Sequence, residues 1–532
     1  MTWIQTLKRM LATWMPGIFG SRILIVHPEG NVFNNPNLYD IANLLGERFK
    51  VDVLVPLRKI NEGCAFSSEN VQLIEYLPIF GDFRFMRSKA VLDEFWAKYI
   101  AAKYRLVIGI DRDGLILASL LARRLGAPYG MISYEIFFED ETSSAFKRPE
   151  RDASADLSFV VVPDEGRGKL LVKENQIGGE TDVRYIPVAP ACSYPYQKRK
   201  DLCELLGIPD SKKILLYAGS VTPWTGIEDL LTHPNALPDD WVLVLHDRFG
   251  DTQSKIRSFD APALQDQIYV ADITIPTNQE MHKLLHAADL GLSLYKPDFS
   301  SRWVGKNLAA IGMSSGKTNV YLQHGLPVVT SHNEVMTPLI ETHGLGYTVA
   351  GVDDLFTVLQ QHEPNLEQNR RCVKFFEEHL SLNVYKTQLM KVVRKSMKRG
   401  ERQPHLNEEM MLGSVRESFA DQLEGAQWTF EELSSCIKKL QESGERFVVY
   451  GEDTLGLTIQ FLMPENVVAF VDYKSDRVST DVVAGEIYSP QNLPNMSYDR
   501  IIVGIIGQQA QAENHLVSDL GVPKEKVVRC LS

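Results

Sequence analysis

The segment Ile311–Ser331, IGMSSGKTNVYLQHGLPVVTS, contains residue types suited to binding phosphate. Its residues Ser314, Ser315, Gly316 and Lys317 precede a predicted helix, so backbone N–H groups, the positive end of the helix dipole and a lysine ammonium meet at one place. This combination predicts a diphosphate site. The alternative is an ordinary helix start capped by serine, which an isolated SSGK would favour.

The elements that position these residues repeat along the chain. Continuous apolar runs such as RILIV, RLVIGI and KILLY alternate with stretches of helical periodicity, which indicates parallel sheets covered on both faces. The predicted fold class is α/β, with two doubly wound Rossmann-like domains and a smaller C-terminal α/β domain. The predicted segments are an amphipathic N-terminal segment at 1–20, a first domain at 21–192, a second at 193–398 with its return helices, a linker at 399–429 and a small accessory domain at 430–532.

Composition and charge exclude several classes of protein. The 56 Lys and Arg against 68 Asp and Glu give a formal net charge of −12, which argues against nucleic acid as a partner. The 6 cysteines are scattered without metal-ligand or disulfide spacing, and no histidine pattern indicates a metal site. No apolar run is long enough to span a bilayer, and no signal peptide is predicted. We therefore expect a cytoplasmic protein without a bound metal.

The segment Ile311–Ser331 resembles the donor-domain pattern S-x-K-x-x-E-Y-L-x-x-G-x-P-V-V of GT-B-type, family 4-like retaining glycosyltransferases, which use nucleotide-sugar donors. The resemblance extends through YAGSVTPWTGIEDL and QIYVADITIPTNQEMHKLLHAADLGLSLY, covering residues 210–360 well and 22–190 loosely. In such enzymes the nucleotide binds the second domain, the acceptor binds the first, and the sugar lies between them.

The resemblance implies roles for particular residues. Ser314–Lys317 would hold the donor pyrophosphate, and Gly219 would belong to the glycine turn that faces it. Asp272, after the predicted strand QIYV, is expected to border the nucleotide base. No cofactor is implied, because the nucleotide-sugar is itself a substrate.

The sequence also departs from the family pattern. Val320 occupies a position where the family often has an acidic residue for the donor ribose, and an apolar side chain cannot accept those hydrogen bonds. Two phosphate-neutralising cations of the family align with Ser220 and Thr225. The nearby cations that could replace them are Arg248, Lys296, Arg302 and Lys306, of which Arg248 and Lys296 are assigned to the donor site.

The first domain carries the residues predicted to face the acceptor. Glu135, in SYEIFFEDE after a predicted strand, is the candidate catalytic residue for contact with the acceptor or the transferred sugar. Glu29, Gly30 and Asn31, in HPEGNVFNNPN after the first strand, form a predicted acceptor-side loop. Because Gly and Asn also suit plain turns, that loop has a purely structural alternative.

Two segments are candidates for membrane contact. Residues 1–20 place seven large apolar side chains near one helical face, which would allow weak, reversible binding to a membrane or docking on protein. These side chains are Trp3, Ile4, Leu7, Leu11, Trp14, Met15 and Ile18. A basic run from Lys386 to Arg402 could reinforce that contact, or it could be the solvated face of a helix that crosses back onto the first domain.

The third domain begins with YGEDTLG, which resembles the phosphate-binding turn of a dinucleotide fold. Asp453 stands where that pattern requires a close-packed glycine, and its carboxylate would repel a pyrophosphate, so NAD binding is disfavoured. The domain is predicted to serve interactions or to sense a sugar nucleotide.

The function expected from this resemblance is transfer of a sugar from a nucleotide-diphosphate-sugar to a saccharide or lipid-linked saccharide in surface polysaccharide biosynthesis. The expected enzyme is retaining and metal-independent, and it lies in the cytoplasm with peripheral contact to the inner membrane face. The alternative is a non-catalytic relative that binds a sugar nucleotide or a partner enzyme as a regulator or scaffold. A two-domain epimerase acting on UDP-sugars is a weaker possibility.

Overall fold

A computed structural model describes most of the chain. The described residues are 21–57, 61, 63–76, 89–100, 102–198, 201–219, 221–246, 264, 266–271, 281–301, 304–398, 406–424, 430–451, 456, 459, 463, 465–472, 482, 487–504 and 509–529. The predicted amphipathic segment at 1–20 therefore lies outside them, as do Ser220, Arg248, Asp272 and Arg302.

The first sheet has seven strands in the order β3-β2-β1-β4-β5-β6-β7. Strand β1 pairs in parallel with both β2 and β4, so the chain reverses its direction of winding between β1 and β4. Ligands bind at such switch points in open α/β sheets. The strands are β1 Arg22–Val26, β2 Lys50–Pro56, β3 Val71–Tyr76, β4 Leu106–Ile110, β5 Tyr129–Ile132, β6 Phe159–Val162 and β7 Asp182–Tyr185.

The second sheet has six strands in the order β10-β9-β8-β11-β12-β13 and repeats this winding. Its switch point lies between β8 and β11, which pair in parallel. The strands are β8 Lys213–Ala218, β9 Trp241–His246, β10 Ile268–Val270, β11 Leu290–Ser293, β12 Val328–Ser331 and β13 Gly346–Val349.

The third sheet has five strands in the order β16-β15-β14-β17-β18. At its switch point the backbone packs closely, because a Cβ on Gly456 would lie 2.3 Å from the carbonyl oxygen of Gly451. The strands are β14 Phe447–Tyr450, β15 Val467–Val471, β16 Ile487–Tyr488, β17 Arg500–Val503 and β18 Val527–Arg529.

Helices follow most of the strands, as the alternating pattern predicts. They are α1 Pro36–Gly46, α2 Lys89–Tyr99, α3 Asp111–Leu125, α4 Ser144–Ser154, α5 Glu165–Glu174, α6 Asp201–Leu206, α7 Ile227–Leu231, α8 His282–Leu285, α9 Lys306–Ala309, α10 Gly316–Gln323, α11 Met336–His343, α12 Val352–Gln361, α13 Leu366–Phe375, α14 Leu382–Lys398, α15 Glu408–Glu424, α16 Phe430–Ser443 and α17 Gln509–Asn514. None of the helices in these described ranges has the length and apolar character of a membrane span.

We call strands β1–β7 with α1, α3–α5 and α14 the first lobe, and strands β8–β13 with α6–α13 the second lobe. Helix α14 belongs to the first lobe although it follows the second in the chain. Its Leu389, Val392 and Val393 are buried in the core around β1, β2 and β4. Two of its lysines form ion pairs with the same lobe, Lys386 with Glu47 and Lys395 with Asp182, each at 2.8 Å. The basic run therefore includes the outer face of a helix that returns to the first lobe.

The described chain forms two compact units. The first comprises residues up to Ile74 together with Ile100–Met411, and the second comprises Glu75–Tyr99 together with Leu412–Ser532. Residues 75–99, which belong to the predicted first domain at 21–192, thus group with the C-terminal residues. Their aromatic rings contact one another, with centroids of Phe95 5.2 Å from Tyr76 and 5.1 Å from Tyr99.

Candidate functional site

Lys317 lies at the switch point of the second sheet. It is the second residue of α10, and its Nζ is 3.9 Å from the centroid of the Tyr217 ring, near the carboxyl end of β8. A Cβ on Gly219 would lie 2.9 Å from both Cε and Nζ of Lys317, so the absence of a side chain at Gly219 leaves room for the lysine. Cation–π contact and the glycine turn together hold the ammonium at the start of the helix.

Ser315 caps helix α10. Its Oγ accepts a hydrogen bond from the N–H of Thr318 at 3.3 Å and lies 2.6 Å from the hydroxyl of Tyr295. Burial raises the pKa of Tyr295, so its hydroxyl stays protonated at neutral pH. Residue 315 is only 2% exposed, and its hydroxyl is used inside the protein. The serine cap that the sequence offers as an alternative to phosphate binding is therefore present. If Ser315 binds the donor, it does so through its backbone N–H.

Ser314 joins the second lobe to the first. Its Oγ donates to the carbonyl oxygen of Tyr134 at 2.7 Å, in the segment that follows β5. Asn319, one turn into α10, donates to the carbonyl oxygen of Val188 at 3.0 Å. A Cβ on Gly316 would lie 3.6 Å from Val188, an ordinary contact. The helix that carries Lys317 is thus fixed directly against residues that follow strands of the first lobe.

Glu135 follows β5 in the first lobe and is partly buried. Its backbone N–H donates to Oδ1 of Asp111 at 2.9 Å, and its carboxylate accepts a hydrogen bond from Nδ2 of Asn307 in the second lobe. Its charge also contributes to the raised pKa of Tyr295, whose ring centroid is 6.0 Å from Nζ of Lys317. The candidate catalytic carboxylate and the candidate phosphate cation therefore lie near the same tyrosine.

Asp111 begins helix α3 with a φ of 52°, a left-handed conformation that aspartate tolerates better than most residues. Its Oδ1 accepts hydrogen bonds from the N–H groups of Tyr134 and Glu135, at 2.6 and 2.9 Å. Burial raises the pKa of Asp111 well above its usual range, and the charges of Glu29 and Glu135 raise it further. At the β1–β4 switch point, burial and the neighbouring negative charges therefore both favour the protonated form of this carboxyl group.

Arg167 connects the two lobes below this carboxylate group. It is 1% exposed, and its guanidinium donates to the carbonyl oxygens of Tyr134 at 2.7 Å, Asn307 at 3.2 Å and Ala310 at 3.0 Å. Burial lowers the pKa of Arg167, and nearby carboxylates, led by Glu135, oppose this shift. Neither Arg167 nor Asn307 is predicted from the sequence, since nothing in the local pattern around either residue indicates a contact with the other lobe.

The predicted acceptor-side loop follows β1. Gly30 has a φ of 73°, and its carbonyl oxygen accepts a hydrogen bond from Nδ2 of Asn61 at 2.9 Å, so the turn alternative explains its glycine. Oδ1 of Asn31 is buried without a hydrogen-bond partner among the described residues. Glu29 is exposed and acts on Asp111 through its charge. The loop therefore borders the carboxylates, while its acceptor role stays a prediction.

The described replacement cations have acidic partners. Nζ of Lys296 lies 2.8 Å from both carboxylate oxygens of Asp229, and both side chains are about half exposed. Nζ of Lys306 pairs with Asp140. These pairings weigh against a direct phosphate contact by either lysine. Arg248 and Asp272, the other two predicted donor residues, lie outside the described ranges and stay predictions.

Two of the three departures from the family pattern lie within the described residues, and both are buried. Val320 is 8% exposed and packs in the core of the second lobe, and Thr225 is 1% exposed with its hydroxyl bonded to the carbonyl oxygen of Thr222 at 2.6 Å. Neither side chain offers a group to a nucleotide. Within the described part of the chain, no cluster of three or more His, Cys, Asp or Glu side chains could hold a metal ion.

Comparison with solved structures identifies the architecture of the two lobes as the GT-B fold of glycosyltransferases. Sucrose-phosphate synthase from Thermosynechococcus elongatus matches with a TM-score of 0.54 at 14% identity, covering 71% of this chain and 100% of that one. HepE of Anabaena in complex with UDP and glucose matches with the same TM-score, identity and coverage. At this identity the likeness establishes the fold, and the predicted α/β class with two Rossmann-like domains is confirmed.

The sequence comparisons give one family match. The family described as Glucosyltransferase 3-like, C-terminal domain, matches residues 252–393, a range that runs from before β10 into α14. No curated protein matches the sequence. The chain therefore has a glycosyltransferase-like fold whose second lobe is similar to a glucosyltransferase domain.

Proposed function

We propose that this protein is a glycosyltransferase that transfers a sugar from a nucleotide-diphosphate-sugar to an acceptor hydroxyl. The observation that carries the proposal is the position of Lys317. Its ammonium lies at the start of α10, stacked on Tyr217 and against Gly219, at the switch point of the second sheet. A helix start with an adjacent cation is suited to a diphosphate, which leaves as the nucleotide when the sugar is transferred.

In this proposal, sugar transfer uses both the phosphate site of the second lobe and the carboxylates of the first lobe. The donor pyrophosphate binds Lys317 and the backbone at the start of α10, and Glu135 contacts the acceptor hydroxyl or the transferred sugar. HepE, which shares the fold, is described in complex with UDP and with glucose, so a uridine donor is the first to test. The family resemblance favours retention of configuration without a metal, and a saccharide or lipid-linked saccharide acceptor in surface polysaccharide biosynthesis.

The test is a panel of UDP-, GDP-, ADP- and CMP-sugars on the full chain, measuring thermal shift and released nucleotide. One donor is expected to raise the melting temperature and to be turned over. Lys317→Ala should lower the affinity for that donor about 10- to 100-fold, because a charge-assisted contact is worth about 1.5–3 kcal/mol. The matched control is Lys374→Ala. Lys374 is an exposed lysine of α13 whose Nζ lies 3.9 Å from Glu378. Unchanged donor binding by Lys317→Ala would contradict the phosphate site.

The pairing of the replacement cations favours a second candidate, a non-catalytic relative that binds a sugar nucleotide or a partner enzyme. Lys296 and Lys306 are each bound to a carboxylate, and Val320 offers no acceptor to a ribose. A donor-binding protein with weakened phosphate contacts would bind nucleotide without turnover. Stabilisation by a nucleotide that Lys317→Ala abolishes, with no product from any donor and acceptor, would support this candidate.

A further inference from the structure

Asn307, in helix α9 of the second lobe, contacts the candidate catalytic carboxylate of the first lobe. Its Nδ2 donates to Oε2 of Glu135. Its Oδ1 accepts two hydrogen bonds, from the backbone N–H of Ile136 at 3.0 Å and from Nη2 of Arg167 at 2.9 Å. Since Asn307 is 6% exposed, these contacts form away from bulk water.

The contacts permit only one orientation of the Asn307 amide. A flipped amide would direct its NH2 group at two donors and would leave Glu135 facing an oxygen. Arg167 is itself fixed by carbonyl oxygens of Tyr134 and Ala310, so it cannot follow a flip. The hydrogen-bond donor that faces Glu135, the Asn307 NH2 group, is therefore fixed in place by Ile136 and Arg167.

We propose that Asn307 is a positioning residue, which holds Oε2 of Glu135 so that Oε1 receives the acceptor hydroxyl or a hydroxyl of the transferred sugar. Within the described part of the chain, Oε2 is the carboxylate oxygen of Glu135 that accepts a side-chain hydrogen bond. The contact between Asn307 and Glu135 forms only when the two lobes meet. It therefore orients Glu135 in the same arrangement that places α10 and Lys317 against the first lobe. This inference rests on the proposed function, since it assigns Asn307 a part in the transfer.

The charges around Glu135 determine what a change at Asn307 would do. Arg167 from α5 is positive, Asp111 at the start of α3 is a carboxyl group, and Tyr295 after β11 is a phenol. The exposed Glu29 adds a negative charge close enough to Asp111 to raise the pKa of that carboxyl group. A carboxylate at position 307 would face Glu135 and would still pair with Arg167. Because like charges repel, two adjacent carboxylates hold a shared proton more tightly than a single carboxylate holds its own.

Asn307→Asp tests the role with minimal change of shape. The new carboxylate still accepts from Ile136 and Arg167, but it cannot donate to Glu135. The acid limb of the kcat–pH profile is expected to move up by about one pH unit, with about a tenfold loss of kcat on that limb and a donor KM within about twofold of wild type. An acid limb at its wild-type position would overturn the proposal.

Two further variants keep the test decisive. Asn369→Ala removes another amide that is 6% exposed, whose Nδ2 donates to the carbonyl oxygen of Gly325 at 2.7 Å within the second lobe, and it should leave the acid limb in place. If Asn307→Asp does not fold, Asn307→Ala should lower kcat about tenfold with little change in donor KM. An equal loss in Asn369→Ala would mean a structural role for both amides and would overturn the proposal.

Failure of the inference differs from failure of the proposed function. A wild-type protein that turns over no donor in the presence of any acceptor overturns both. A wild-type protein that is active, with Glu135→Gln at wild-type kcat and pH profile, overturns the positioning role and leaves the transferase proposal standing.

Discussion

The two sides of the candidate site are built differently. On the second lobe, the phosphate side consists of Ser314–Lys317 in one turn of chain, with Gly219 opposite. On the first lobe, the acidic side gathers Glu29, Asp111 and Glu135 from the ends of three strands and adds Asn307 from the other lobe. The first arrangement is local in sequence, whereas the second exists only after both sheets have formed. We therefore expect the acidic side to depend more on contacts between the lobes.

Arg167→Met is expected to have the largest effect, and it tests that dependence. The change leaves several buried carbonyl oxygens without a donor, including those of Tyr134, Asn307 and Ala310. We expect the free energy of unfolding to fall by about 3–5 kcal/mol in urea denaturation. Hydrogen exchange should also increase across residues 304–315, which meet Arg167.

The matched control is Arg112→Met. Arg112 is 2% exposed, and its guanidinium donates to Phe146 and Asp113 within the first lobe, at 2.6 Å each. It should also destabilise the protein, but without a local increase of exchange at residues 304–315. Equal exchange in that segment for both variants would mean that Arg167 contributes only to its own lobe, and the contrast between the two sides would be lost.

The next effect concerns the local side of the site. Gly219→Ala places a Cβ 2.9 Å from Cε and Nζ of Lys317, so the lysine must move from its position on Tyr217. We expect donor affinity, measured by calorimetry, to fall about fivefold, which corresponds to about 1 kcal/mol. Because the end of a lysine is flexible, the loss should be smaller than in Lys317→Ala.

Gly316→Ala is the control for this substitution. Its Cβ would lie 3.6 Å from Val188 in ordinary contact, and alanine favours a helix more than glycine does. Donor affinity should remain within about twofold of wild type. If Gly316→Ala weakened binding as much as Gly219→Ala, the position of Lys317 over Tyr217 would not be what the donor needs.

The same contrast explains what the sequence could predict. The three sheets are predicted by apolar runs that alternate with helical periodicity. The phosphate role of Lys317 is predicted by the four-residue motif Ser314–Lys317. Asn307 and Arg167 are separated by 140 positions, and their contact depends on how two lobes meet, which no local pattern encodes. Lys296 shows the opposite case, since a cation near a strand end is easy to find, but its pairing with Asp229 depends on α7. The motif predicts a donor role for Ser315 as a residue, and only the structure shows that its hydroxyl caps α10.

The smallest expected effect is that of Asp111→Asn, and it separates charge from geometry on the acidic side. Asparagine tolerates the left-handed φ of 52°, and its Oδ1 can accept from the N–H groups of Tyr134 and Glu135 as the aspartate does. The variant therefore keeps the turn that presents Glu135 and removes a titratable group. Catalytic effects would then report charge alone.

The sign of the pH dependence follows from the raised pKa of Asp111. The folded state keeps the proton at a pH where the unfolded chain has lost it, so the stabilisation is full below the unfolded pKa and is lost as pH rises toward the folded one. Asp111→Asn should thus match wild type in thermal unfolding near pH 4 and exceed it by about 1 kcal/mol near pH 8. A wild-type protein that gains stability over Asp111→Asn as pH rises would show instead that the carboxylate is ionised in the fold, with its two N–H donors outweighing burial and the charges of Glu29 and Glu135.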